Sequence, residues 1–124
     1  MKFQAIRSDG DGESHFETVE IPAHEVPFGP PPNPVGTRAD FGAVENMFAF
    51  AVPEGTSVPA HNAPQPYIAI ILSGATEMTA SDGAVQRFGP GDVIFCDDLT
   101  GKGHETRALL DTVVAFANRR QEEQ

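Results

Sequence analysis

The chain has 124 residues, 8 of them basic and 18 acidic, for a formal net charge of −10. That length fits one domain with a modest core. A field of that sign repels phosphates, which excludes nucleic acid and anionic membrane as natural partners.

Gly and Pro number 12 and 11, and Ala, Val, Ile and Phe recur in short runs. This composition suits many short strands joined by tight turns better than a helical bundle. The N-terminus, Met1–Asp9, has no long apolar run and so no signal peptide, and no stretch reaches the ~20 apolar residues of a membrane helix. The sequence reads as cytoplasmic. Ser8–Ser14 is a polar, Gly-rich turn. His15–Ile21 reads as a strand anchored by Phe16, Val19 and Ile21, and its imperfect alternation fits an edge or interface strand. Val26–Gly36 holds five prolines, which removes five backbone donors and predicts an extended, stiff arm lying on the domain or on a neighbouring subunit.

Asn46–Val52 is a strand with Phe48, Phe50 and Val52 on one face and Met47, Ala49 and Ala51 on the other. Both faces are apolar, so both are expected to be covered. Pro53–Gly74 opens with a turn and a Pro-bounded strand ending near His61. After a Pro-rich bend it continues as an apolar run with Tyr67, Ala69 and Ile71 on one side and Ile68, Ile70 and Leu72 on the other. Ser81-Asp82-Gly83 predicts a hairpin turn between Ala75–Ala80 and Ala84–Phe88. Pro90-Gly91-Asp92 is a further turn, and Val93–Cys96 a buried strand. Cys96 is the single cysteine; it reads as a small buried side chain. Glu105–Leu110 and Thr112–Ala117 close the sheets, with Leu109-Leu110 also compatible with a short helix. Asn118–Gln124 is a charged tail. The organisation is an N-terminal strand and Pro-rich arm (1–45), a barrel (46–117) and the tail (118–124). The fold class is all-β, an antiparallel sandwich or jelly roll.

The residues of 46–117 resemble the cupin superfamily, the double-stranded β-helix barrels. Gly55 is followed by five residues and then His61, as the first cupin motif asks. Ala63 replaces the motif's second histidine, Tyr67 stands at its glutamate, and Gly74 matches its closing glycine. Pro90-Gly91-Asp92 and His104 resemble the second motif, although Asp97 replaces the expected proline. Ser14-His15-Phe16-Glu17, His61-Asn62-Ala63-Pro64 and Asp98-Leu99-Thr100-Gly101-Lys102-Gly103-His104 are similar to a narrower group of small, single-domain cupins of unassigned function. The resemblance implies a homodimer paired through N-terminal strands, and a small molecule as ligand.

Cupin barrels commonly hold a metal with three histidines and a glutamate. This chain keeps two of those four positions, His61 and His104. Two imidazoles with Tyr67 as a phenolate, or with Gln65 or Asp97, make a reduced ligand set for a weakly bound divalent ion such as Zn, Ni or Fe. Without metal, the two histidines form an acid/base pair, since an imidazole exchanges protons near neutrality. No cofactor is then required. Tyr67 is the orienting donor. Asn62, Gln65, Phe48, Phe50 and Lys102 are expected to contact the ligand, Lys102 because Gly101 and Gly103 let backbone amides converge. The plainer reading of each histidine is satisfaction of a buried carbonyl. His15 is placed in the pocket or at a dimer seam, and His24 in solvent. The expected function is proton-transfer catalysis (isomerase, lyase or cyclase). The alternatives are a non-catalytic binding module and a metal-dependent oxygenase.

Overall fold

The computed structural model describes residues 1–120. Among these residues there are twelve strands and no helix, so no helix is long and apolar enough to cross a membrane. In chain order they are β1 (Lys2–Ser8), β2 (Ser14–Glu20), β3 (Ala23–Pro27), β4 (Val35–Ala39), β5 (Val44–Val52) and β6 (Ser57–His61). Then come β7 (Tyr67–Ser73), β8 (Thr76–Ala80), β9 (Val85–Phe88), β10 (Val93–Asp97), β11 (His104–Ala108) and β12 (Thr112–Arg119). A six-stranded sheet runs β2-β1-β10-β7-β12-β5, a four-stranded sheet runs β6-β11-β8-β9, and β3-β4 stand as a separate hairpin.

The apolar run of β7 is continuous because both of its faces are covered. Tyr67, Ala69 and Ile71 point between the two large sheets, where they meet Ile94 and Cys96 of β10, Met78 and Ala80 of β8, and Val114 and Phe116 of β12. Ile68 and Ile70 point to the other side of the six-stranded sheet. There Ala5, Phe95 and Ala117 form a second core with Phe3, Val19 and Phe41. Phe41 stands edge-on to Phe3 and Phe95, at 5.1 and 5.3 Å between centroids. The region 1–45 thus extends the sheet with β1 and β2 and closes its outer core with Phe3, Val19 and Phe41, while β3 and β4 remain largely exposed.

Several expectations need correction. Lys2–Ser8 carries no strong alternation, yet it forms β1, because β10 offers it an unpaired edge. The ladder is parallel, Gln4 to Ile94 through Arg7 to Asp97, in an otherwise antiparallel fold. The Pro-rich segment is not a bare arm: β3 and β4 pair from Ala23–Ala39 to Pro27–Val35, with the prolines concentrated in the connecting loop. Strand β5 is exposed along nearly its whole length, since it is the terminal strand of its sheet. Leu109–Asp111 is a bend, neither helix nor strand. β12 extends past the anticipated end at 117 because Asn118 and Arg119 continue its ladder with β5. Residues 121–124 of the anticipated tail lie outside the described residues.

The Asp-Gly hairpin is confirmed, with a different turn from the tightest one. Ala80 N–H donates to the Ala84 carbonyl across a three-residue loop, and only Gly83 takes a positive φ, 93°. That is the loop whose last position asks for glycine. Gly74 faces a harder constraint. Its φ is +86°, and a Cβ there would overlap the Asp111 carbonyl and Thr112. Gly74→Ala is therefore expected to cost about 2–4 kcal/mol by strain and overpacking. Gly83→Ala, with open space around it, should cost only the left-handed penalty of about 1–2 kcal/mol. Urea unfolding of the two variants checks the order, and equal losses would contradict it.

Candidate functional site

The β6–β11 ladder sets His61 directly opposite His104. Opposed residues of an antiparallel pair share a face, so both rings lie on the inner side, with centroids 5.2 Å apart. His104 is 1% exposed and Asp98 is 0% exposed. The His104 Nδ1–H donates to Asp98 Oδ2. That bond leaves His104 Nε2 as an acceptor, and it lies 3.5 Å from the Tyr67 hydroxyl, a long contact. The His61 Nδ1–H donates to the Pro59 carbonyl at 3.0 Å, so His61 also keeps Nε2 free. Three groups able to take or give a proton therefore meet at one place.

The second oxygen of Asp98, Oδ1, is buried with no hydrogen-bond partner. A buried, half-satisfied carboxylate is costly and calls for a reason. Orientation of His104 supplies one.

Tyr67 lies against Cys96. Burial, above all, pushes the Tyr67 hydroxyl's pKa far upward, and the neighbouring Cys96 and Asp98 add to the rise. Burial likewise raises the Cys96 thiol, with Asp98 and Asp97 contributing and the Tyr67 hydrogen bond opposing. At neutral pH both groups are protonated. Tyr67 is a hydrogen-bond donor.

The cavity behind these groups has two chambers. The first, of about 150 Å³, is lined by His61, Tyr67, Cys96, His104 and apolar residues including Ile94 and Met78. The second, of about 300 Å³, is lined by Phe50, Val52, Thr56, Ala108 and Thr112. Val58, Thr76, Thr106, Val114 and Phe116 line both.

Of the expected ligand contacts, Phe50 lines the second chamber, and Phe48 packs on Phe50 and Phe116 at 5.7 Å from each. Asn62, Gln65 and Lys102 are not brought to the cavity. Asn62 Nδ2–H donates to the Gly101 carbonyl at 2.8 Å. The Gln65 amide donates to Glu45 and to the Arg119 carbonyl. Lys102 is paired with Glu13, which lowers the Glu13 pKa and raises that of Lys102. The glycines beside Lys102 serve close packing instead of an anion cradle. A Cβ at Gly101 would overlap the Gly12 backbone, and one at Gly103 the His61 carbonyl. His15 bonds Glu17 at 3.0 Å on the outer side, away from the cavity. His24 is exposed on β3. Asp97 pairs with Arg7 and Arg119.

Asp98 was not singled out by the sequence reading, although it opens the Asp-Leu-Thr-Gly-Lys-Gly-His run. It lies in the loop after β10 while His104 opens β11, so no single element's periodicity links the two. The donor set does not fit the usual metal centre of such barrels. Ala63 is buried without a donor, and no group of three His, Cys, Asp or Glu side chains among the described residues could hold an ion.

No protein-family model matches the sequence, and no curated protein matches it. Solved structures do match in fold. A protein of unknown function from Rhizobium leguminosarum bv. viciae superposes with a TM-score of 0.53 at 14% identity, over 80% of this chain and 82% of that one. A conserved protein of unknown function from Streptococcus pyogenes gives 0.50 at 22% identity, over 61% of this chain, which spans 65% of that protein's length. Two facing sheets close on a cavity, and the two halves of the motif fall on paired strands within them. The fold is an all-β jelly roll of two facing sheets. An RmlC-like cupin protein from Desulfovibrio desulfuricans matches at a lower TM-score, 0.47, with 23% identity over 57% of this chain and 67% of that one.

The site depends on a clamp in the N-terminal region. Ser14 is 0% exposed. Its hydroxyl donates to the Gly103 carbonyl at 2.6 Å and accepts from the Ser81 N–H at 2.8 Å. Ser14→Ala leaves both buried backbone groups unpaired and should cost about 1–3 kcal/mol. Urea unfolding measures the loss, and a neutral result would show that Ser14 does not hold the 98–104 loop.

Proposed function

We propose that this protein binds a small molecule in its barrel cavity and catalyses proton transfer on it, as an isomerase, lyase or cyclase does. The observation that carries the reading is the buried Asp98–His104 pair, aimed through Nε2 at Tyr67 and facing His61. His104 Nε2 takes a proton from a carbon next to a carbonyl. The Tyr67 hydroxyl, held protonated by burial, donates a hydrogen bond to the oxygen where negative charge develops. His61, first protonated at Nε2 by solvent, returns a proton on the solvent side, and His104 then releases its own to solvent, which restores both imidazoles. Asp98 does not touch the reacting atoms. It is a positioning residue that fixes the His104 tautomer and supports the imidazolium when it forms.

The reading requires no cofactor, since two imidazoles suffice to move protons. A divalent ion such as Zn, Ni or Fe held by His61 and His104 alone would be weakly bound and lost as the imidazoles protonate. A metal-dependent oxygenase and a non-catalytic binding module are the competing readings. They are separated by solvent deuterium incorporation into the α-carbons of a bound ketone such as benzylacetone. We expect incorporation that survives treatment with a chelator. A tightly held Fe, Mn or Cu ion whose removal abolishes turnover would favour the oxygenase. Saturable binding with no incorporation would favour the binding module.

Asp98→Asn turns the acceptor at His104 Nδ1–H into an amide. Donation from that amide would move the ring proton to Nε2. We expect incorporation to fall by roughly 10²–10⁴-fold while binding is kept, with the tautomer change visible in the ¹⁵N shifts of His104. His61→Ala should abolish incorporation with the melting temperature within about 3 °C of the parent, as for an exposed position. A large fall in melting temperature would mark His61 as structural.

The partners proposed are the ligand and a second copy of the chain. Support for the homodimer comes from β2 as a terminal strand of the larger sheet, and from the β3–β4 hairpin, whose faces are exposed. An isolated two-stranded hairpin is marginal in water. Light scattering should give twice the chain mass of 13.2 kDa, and a monomer at micromolar concentration would refute it.

A further inference from the structure

The two chambers differ in chemistry, and the difference restricts what they can hold. The smaller one carries His61, His104, Tyr67 and the thiol of Cys96. The larger one offers almost only carbon. Its Thr56 hydroxyl donates to the Pro53 carbonyl, and that of Thr112 donates to the Leu110 carbonyl and accepts from the Ala75 N–H. No Lys or Arg lines either chamber. The formal charge next to the smaller chamber is the carboxylate of Asp98, screened from it by His104.

An anionic head group would lose its water there without gaining a cation. It would also meet the field of a chain with net charge −10. A cationic head group fares little better, since the one carboxylate, Asp98, is fully buried behind His104 and does not line the chamber.

The route inward is also defined. β5 and β6 are terminal strands of different sheets, and no ladder joins them. Phe50 of β5 and Val58 of β6 both line the larger chamber, and they are 55% and 40% exposed. The chamber therefore meets solvent between these two edges, and a ligand passing that way crosses apolar side chains before it reaches the histidines.

We propose that the cavity selects an uncharged small molecule with a carbonyl-type head and an apolar body. The head lies against Tyr67, His61 and His104, the body lies in the chamber of Phe50, Val114 and Phe116, and entry is between β5 and β6. The inference rests on the reading of this cavity as the site. It adds the ligand's charge, its polarity and its direction of approach.

The test compares three probes with the same phenyl-ethyl body. Benzylacetone carries a ketone, hydrocinnamate a carboxylate and phenethylamine an ammonium group. Calorimetric titration at neutral pH should show saturable binding of benzylacetone, at least tenfold tighter than either charged probe. Its addition should shift the methyl resonances of Val52, Ala108 and Val114. Val58→Trp, at a half-exposed position, should fill the entry and weaken ketone binding by tenfold or more. The methyl shifts report the same contact in the parent protein should that variant fail to fold. Equal or tighter binding of hydrocinnamate or phenethylamine would overturn the proposal. So would no binding of benzylacetone, or binding that leaves those methyls unmoved. Deuterium incorporation is a separate readout: ketone binding without exchange keeps the ligand class and removes the catalysis.

Discussion

A carboxylate and an imidazole without solvent contact, Asp98 and His104, hold each other beside the cavity. Such a pair is a poor source of net stability, because desolvation consumes much of the attraction, yet removing one partner typically costs about 3–5 kcal/mol. The surroundings must therefore deliver both groups together. The 98–104 loop does so by being tied at almost every residue. The Asp98 carbonyl accepts from the Ala63 N–H, the Thr100 carbonyl from the Ser8 hydroxyl, and the Gly101 carbonyl from Asn62. The Lys102 N–H donates to the Gly12 carbonyl, and the Gly103 carbonyl accepts from Ser14. Three of these ties come from the N-terminal β1–β2 hairpin. The strand pair that joined the sheet edge late in the fold's logic is thus part of the site's frame.

Much of the barrel was legible because its signals are local. The short apolar runs of β5 and β7, the glycine after Asp82, and the turn at Pro90-Gly91-Asp92 each depend on residues within a few positions. β1 was not legible. Its residues alternate weakly, and only the long-range offer of an unpaired β10 edge decides its conformation. The same distinction separates the site residues. His61 and His104 stand at motif positions, and the β6–β11 register brings them together. Asn62 and Lys102 sit in motifs just as specific but serve the loop itself. Motif membership does not distinguish a residue that shapes a loop from one that faces a ligand. The close approach of Gly103 to the His61 carbonyl does.

The exposed β5 is the remaining tension in the fold. A long apolar terminal strand is a liability, since its free edge invites pairing with other chains. Phe48, Phe50 and Met47 are all exposed on it, with no proline and a single charge, Glu45 near its start, to blunt the edge. Pairing β5 with β6 inside one chain would remove two free edges at once and bury Phe50 and Val58. It would also seal the larger chamber from solvent. The gap is therefore the feature through which the barrel trades edge protection for access. The side chains that flank it are apolar because they are the wall of the cavity as much as they are surface.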